Sequence, residues 1–317
     1  MIEFKFLKSG LVGMANAPEA GSMAGHLGAA VVTGYFIGEN QPHLPAAVFD
    51  GIRRDLNRIM GGEEAIWFDP KKIGMTAKAL FGDLPDGPWE QNAIGRISTA
   101  LLGNIARTRQ SGHNVIFASI ALRAFQSHPE LATPAIVKGI AKLITSFDQA
   151  HSGRGYYGKA IGWKIGDKAP IDPEIQIEPY QSMQALAAIV IHEVIKSANV
   201  HRRGFGGLFH LINHAAALLE LDRMGFKDLA KKGLEAHRHH LLQYLTLPDL
   251  EDELGKLKST RQDPLNGNYW QKTRSAQWGA WLTHRIKTLY GFHTLLAYID
   301  DPQTCERAKL QFRYLMT

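Results

Sequence analysis

The stretch 201–225 restricts the possible folds more than any other part of this chain. A glycine-rich opening, His201-Arg202-Arg203-Gly204-Phe205-Gly206-Gly207, leads into a run from Leu208 to Met224 that is apolar almost all round. A helix without a wide polar face is normally buried on every side, so this one demands a shell of other elements. Set into the run are His210, Asn213 and His214, which the helical period places on one stripe. Buried polar groups cost about 1–3 kcal/mol each when unpartnered. These three therefore either find partners in a core or line a cavity.

Helical spacing predicts further helices over 23–37, 45–60, 76–81, 90–109, 115–125, 134–147, 181–199, 228–245 and 302–316. The stretch 270–299, with Trp278, Trp281, His284 and Lys287, reads as one long helix or two short ones. Pro45 and Pro134 stand at first helical positions, where a missing N–H costs nothing. Residues 1–22 read as irregular, with a short strand over 3–7. No run of alternating strands appears elsewhere, so the expected class is all-α. Gly25-His26, Gly112-His113 and Gly204-Phe205 open strongly apolar helices. With Gly291 they recur at intervals of about 90 residues, and such self-similarity marks a repeated architecture. Apolar helices alternating with half-exposed ones point to inner and outer layers. The expected fold is an α/α toroid-like bundle in a single domain over 1–317, with an irregular helical bundle as the alternative. Residues 149–179, rich in glycine, proline and aromatics, form a long interruption. A stretch of this kind is an ordered lid or pocket wall, or a cover for an exposed end of the helical stack.

Several classes are disfavoured. The net charge of +6 comes from dispersed residues without a zinc-finger, RNA-recognition or helix-turn-helix pattern, so no nucleic-acid partner is expected. No stretch approaches the ~18 continuous apolar residues of a membrane span. Cys305 is the sole cysteine, which fits a reducing, cytoplasmic setting, and the short, glycine-broken N-terminal apolar stretch does not make a signal peptide. There is no phosphate-binding Walker loop, no dinucleotide fingerprint following a strand and no Gly-x-Ser-x-Gly elbow.

The candidate chemistry lies on the apolar helices. His210 and His214 stand one turn apart, a spacing that can chelate a transition metal such as zinc or iron. Leu211 occupies the place of the glutamate of a zinc-protease motif, and hydrogen-bonded core histidines are the plainer explanation. His26 and His113 begin two other buried helices and would join a substrate site if those helices converge; otherwise they bond local backbone. His284 and Lys287 share a face, three residues apart. A buried lysine is paired or loses its proton more readily, unless its stem packs on Trp281 and the amine reaches solvent. Arg109 and Arg203 precede helix N-termini, where added positive charge favours an anion, or they pair with nearby carboxylates. Tyr156 and Trp163 would supply aromatic walls from the 149–179 stretch.

Two stretches resemble the questin oxidase-like family: Asn213-His214-Ala215-Ala216-Ala217-Leu218-Leu219 and Thr283-His284-Arg285-Ile286-Lys287. The resemblance implies an all-helical fold and oxidative chemistry on an aromatic ring with a nicotinamide reductant. It directs attention to Asn213, His214, His284 and Lys287. The expected function is an enzyme acting on a small anionic or aromatic metabolite. Its catalytic candidates are Asn213, His214, His284 and Lys287; His26, His113, Arg109, Arg203, Tyr156 and Trp163 are substrate-binding candidates, and His210 with His214 could hold a metal. Oxidoreductase is the preferred class. A metal-dependent hydrolase or lyase, and a non-catalytic ligand-binding or scaffold protein, are the alternatives.

Overall fold

The computed structural model describes residues 1–317 apart from 272–274, 277 and 278. Its first helices are α1 (Phe4–Ala20), α2 (Gly25–Asn40), α3 (Ala46–Met60), α4 (Pro70–Ile73) and α5 (Ala93–Leu102). Next come α6 (His113–Ser127), α7 (Pro134–Thr145) and a hairpin of β1 (Arg154–Tyr156) and β2 (Trp163–Ile165). The remainder is α8 (Met183–Ser197), α9 (Gly207–Arg223), α10 (Lys227–Leu245), α11 (Glu251–Leu254), α12 (Gly267–Trp270), α13 (Trp281–Leu296) and α14 (Pro302–Phe312). The all-α class holds, with two three-residue strands as the sheet content of the described residues. None of the described helices is long and apolar enough to cross a membrane.

Two expectations are corrected and an open one is resolved. Residues 1–22 are not irregular, and 3–7 is not a strand: α1 fills this stretch and runs through Pro18. Gly10, Gly13 and Pro18 lower local helix propensity, but tertiary packing overrides it. The helix expected over 90–109 stops at Leu102, where the next turn sends Asn104 inward. Asn104 donates to Asp148 (2.8 Å) and accepts from Asn114 (2.9 Å), bonds that an outward helical position could not make. Of the two expectations for 270–299, one long helix is excluded: α12 ends at Trp270 and α13 begins at Trp281. Trp278 lies outside the described residues.

The chain divides into two compact units. The first comprises Met1–Leu101, Phe117–Ser146 and Gln262–Tyr290. Within it α1 packs on α2 and α7, α2 on α3, and α3 on α12. The α1–α2 seam is built from glycines. A methyl group on Gly28 would lie 2.5 Å from the Gly10 carbonyl oxygen and closer still to the Met14 amide nitrogen. Only hydrogen fits there, which brings the two backbones into direct contact.

The second unit comprises Leu102–Ile116, Phe147–Arg261 and Gly291–Thr317. Here α9 packs against both α8 and α10, and α14 against α8. Every α9 residue from His210 to Leu221 is buried, as its all-round apolar character requires. Ser182 caps α8 by accepting from the Ala185 N–H, and Asp301 caps α14 by accepting from the Gln303 and Thr304 N–H groups. In the hairpin Arg154 pairs with Ile165, Gly155 with Lys164 and Tyr156 with Trp163. The stretch expected to be an ordered lid is thus ordered around a hairpin. Its second edge is held by Gly204, because the Tyr156 N–H donates to the Arg203 carbonyl and the Phe205 N–H to that of Arg154.

Gly28→Ala should lower stability by about 1–3 kcal/mol, the usual cost of overpacking, measured by urea denaturation. A change below about 0.5 kcal/mol would show that α1 and α2 separate freely.

Candidate functional site

In the first unit the N-terminus of α13 is held by a carboxylate from the connector after α3. Glu64 is buried and accepts from the Leu282 N–H, the Thr283 N–H (3.3 Å) and the Trp67 indole N–H (3.1 Å). An anion there complements the unpaired N–H groups and partial positive charge of a helix start. One turn on, Arg285 pairs with the buried Asp55 of α3. Next on α13, Lys287 is buried and hydrogen-bonded through Nζ to His26 Nδ1 on α2. The snorkelling alternative for Lys287 therefore does not apply.

The surroundings of this amine are aromatic. Trp67 stacks on the His26 ring with centroids 3.9 Å apart and planes 14° from parallel. Phe117 stands edge-on to His26 at 5.6 Å, and Lys287 Nζ lies 5.9 Å from its centre. His284 completes the group, 5.1 Å from the His26 ring and 5.7 Å from that of Trp67. Burial pushes the Lys287 ammonium down to about 7, against the opposing pull of the Glu64 charge. Burial and then the Lys287 charge push His284 down to about 3. Burial also raises the Glu64 carboxyl. His284 Nδ1 lies 2.8 Å from the Ala280 carbonyl. Since a carbonyl only accepts, Nδ1 carries the proton and Nε2 of the neutral ring is the acceptor.

The second unit holds a different set. His237 and His240, three residues apart on α10, face His214 on α9, with ring centroids 5.1 and 5.6 Å from it. His240 Nε2 donates to the Phe205 carbonyl at 2.8 Å, so its Nδ1 is an acceptor and the 3.3 Å contact with His214 Nδ1 makes His214 the donor. His237 Nε2 likewise donates to the Leu211 carbonyl at 3.2 Å and accepts at Nδ1 from the Tyr180 hydroxyl at 2.9 Å. His214 is left with Nε2 buried and without a hydrogen-bond partner among the described residues. Burial pushes His237 down to about 3 and His240 to about 4, and pushes His214 well below its usual value with help from the neighbouring imidazoles. Gly112 makes room for this ring: a methyl group there would lie 2.6 Å from His214 Cγ. The His210 ring lies 4.5 Å from that of His113. His113 Nδ1 in turn bonds the Gln110 carbonyl, the local backbone contact that the plainer explanation expected.

The predicted residues other than Arg109 therefore fall into three places. His26, His284 and Lys287 meet in the first unit. His113, His210, Asn213 and His214 are buried in the second, where Asn213 Oδ1 lies close to Gly291. Tyr156, Trp163 and Arg203 gather at the hairpin surface: the Arg203 guanidinium is 5.4 Å from the Trp163 ring, and the Tyr156 hydroxyl donates to Glu253 at 2.6 Å. Arg109 bonds the Ala150 carbonyl at 2.6 Å rather than a carboxylate. Residue spacing did not single out Glu64, Trp67, Tyr180, His237 or His240. Only the His237/His240 spacing of three could have drawn attention. Comparison with protein-family models, curated proteins and solved structures finds no match for the chain.

The buried imidazoles make stability fall in acid. Unfolded histidines protonate near pH 6.5, whereas folded His237 and His240 resist down to about 3 and about 4. The unfolded state thus binds more protons between these limits, and each group removes on the order of 1.4 kcal/mol per pH unit as the pH drops. Thermal unfolding followed from pH 7 to 4 should show this slope. His237→Gln/His240→Gln should flatten it even if the variant is less stable at pH 7.

Proposed function

We propose that the chain is an enzyme acting on a small anionic or aromatic metabolite, with Lys287 as its proton carrier and His26 and His284 as its partners. The observation that carries this reading is the hydrogen bond between the buried Lys287 amine and the His26 ring within an aromatic surround. An amine that ionises near pH 7 exchanges its proton at little cost, which is what general acid–base catalysis requires. Neutral Nζ would take a proton from an acidic phenol or a carbon next to a carbonyl. The resulting ammonium would then hold the anion formed, in a surround where charge attraction is strong. His284 Nε2 would accept a hydrogen bond from a substrate hydroxyl. Oxidoreductase is the class we favour, supported by the resemblance of 213–219 and 283–287 to the questin oxidase-like family.

A second reading rests on His214. Its Nδ1–H is held by His240 while Nε2 is unpartnered, as in imidazoles that a neighbour orients toward a metal ion. Such an ion, shared with His210, would make the chain a metal-dependent hydrolase or lyase. Metal content of protein purified without chelators tests it: near one equivalent, lost in His214→Ala, supports it, and none in either protein rejects it.

For Lys287, protein labelled at lysine Cε should show one resonance titrating near pH 7 that is absent from Lys287→Met. Every lysine titrating near 10 would sink the proposal. Stability supplies the sign. Folded Lys287 ionises at about 7 and the unfolded side chain near 10.5. The wild type therefore gains on the order of 1.4 kcal/mol per pH unit as pH rises between these values. Lys287→Met should be the more stable protein below pH 7, with its advantage shrinking steadily toward pH 10.

A further inference from the structure

We infer that the β1–β2 hairpin is a docking element for an anionic lipid bilayer. Large apolar side chains stand on it in open solvent: Ile161 is 54% exposed, Trp163 42% and Ile165 48%, and Ile171, 40% exposed, follows in the chain. Single exposed apolar residues are ordinary, but a contiguous group marks a surface that is covered in use.

The strand geometry aims this group outward. Gly155 faces the interior, where a methyl group would lie 2.6 Å from both Phe205 and Leu247. Alternation along β1 sends Arg154 and Tyr156 to the opposite face, and the register adds their partners Ile165 and Trp163. Basic residues flank the group along the hairpin, while Glu253 of α11 lies against its Tyr156–Lys159 side. Between 154 and 168 the chain carries Arg154, Lys159, Lys164 and Lys168 against one acid, Asp167. The Arg154 and Arg203 guanidiniums lie 4.7 and 5.4 Å from the Trp163 ring. The acidic residues Asp172, Glu174 and Glu178 come only after Pro170 in the chain.

A tryptophan at headgroup depth, isoleucines reaching the acyl boundary and a basic rim on lipid phosphates are how a protein lies on a membrane without spanning it. Single-stranded nucleic acid shares the charge preference but fits less well. Bases stack on open aromatic faces, whereas the Trp163 ring has two guanidiniums beside it and Tyr156 is tied to Glu253. The three isoleucines offer a base nothing. The hairpin is also preformed, because the 203–205 backbone fixes its second edge, so docking needs no ordering of the segment.

Co-sedimentation of the full chain with vesicles tests this. Vesicles of phosphatidylcholine with phosphatidylglycerol should bind the protein, and vesicles of phosphatidylcholine alone should not. Arg154→Glu/Arg203→Glu, at the two guanidiniums beside Trp163, should weaken binding by about fivefold or more per charge altered, and Ile161→Ser/Ile165→Ser at least tenfold. All four positions are exposed, so circular dichroism should be unchanged. Trp163→Phe should remove the blue shift in tryptophan emission that vesicles induce. Absence of binding, equal binding to neutral vesicles, indifference to these substitutions, or a tighter complex with oligouridylate than with vesicles would each overturn the inference.

Discussion

A backbone carbonyl can accept a hydrogen bond but never donate one, and that asymmetry orders the polar interior of this protein. Four imidazoles, three buried and His284 half-buried, end on such an oxygen: His113 on Gln110, His237 on Leu211, His240 on Phe205 and His284 on Ala280. Each contact fixes which ring nitrogen holds the proton, and with it the role of the other nitrogen. The consequence travels. Because His240 must accept at Nδ1, His214 must donate, and His214 Nε2 is left as a lone pair. Two of these rings, His237 and His240, stand on α10 with fixed backbone atoms beside α9 as their partners, and no water is needed to complete those bonds. A net gain near 1 kcal/mol per bond is modest, but removing one partner strands the other in the core.

The Lys287–His26 contact lacks that asymmetry. An amine nitrogen and an imidazole nitrogen can each donate or accept, so this bond survives a change of protonation that would break a bond to a carbonyl. Glu64, the nearby carboxylate that opposes the drop in the Lys287 ionisation, already receives the first N–H groups of α13 and the Trp67 indole. Its lone pairs are committed to starting the helix. The first unit thus separates two tasks within a few residues of α13: Glu64 and the Arg285–Asp55 pair position the helix, and Lys287 is the group free to change charge.

What could be read from residue order follows the same division. The burial of α9 was legible because no polar face interrupts it, and the His284–Lys287 pair because a spacing of three puts both on one face. Gly25-His26 was legible as a helix opening, though only the fold brings His26 to Lys287. Glu64 and Trp67 left no trace because they sit in a connector without periodicity, and their partners on α13 lie more than 200 residues away in the chain. The first helix was hidden by glycines that look like breaks and are in fact the contact surface with α2. Strands of three residues alternate too briefly to be recognised, so the hairpin registered only as aromatic, glycine-rich chain.

Within the second unit one residue joins the hairpin to the histidines. Phe205 donates its N–H to Arg154 in β1 and gives its carbonyl to His240. Its ring lies against Gly153, Gly155 and Gly166, positions where a methyl group would come within 3.2 Å of it. It adopts φ of 48°, a conformation costing a non-glycine residue about 1–2 kcal/mol. That strain is tolerated because three sets of contacts hold the residue from different directions. Its N–H and its carbonyl belong to the two peptide groups on either side of one Cα, so the hairpin strand and the His240 ring are both fixed by the conformation of this single residue.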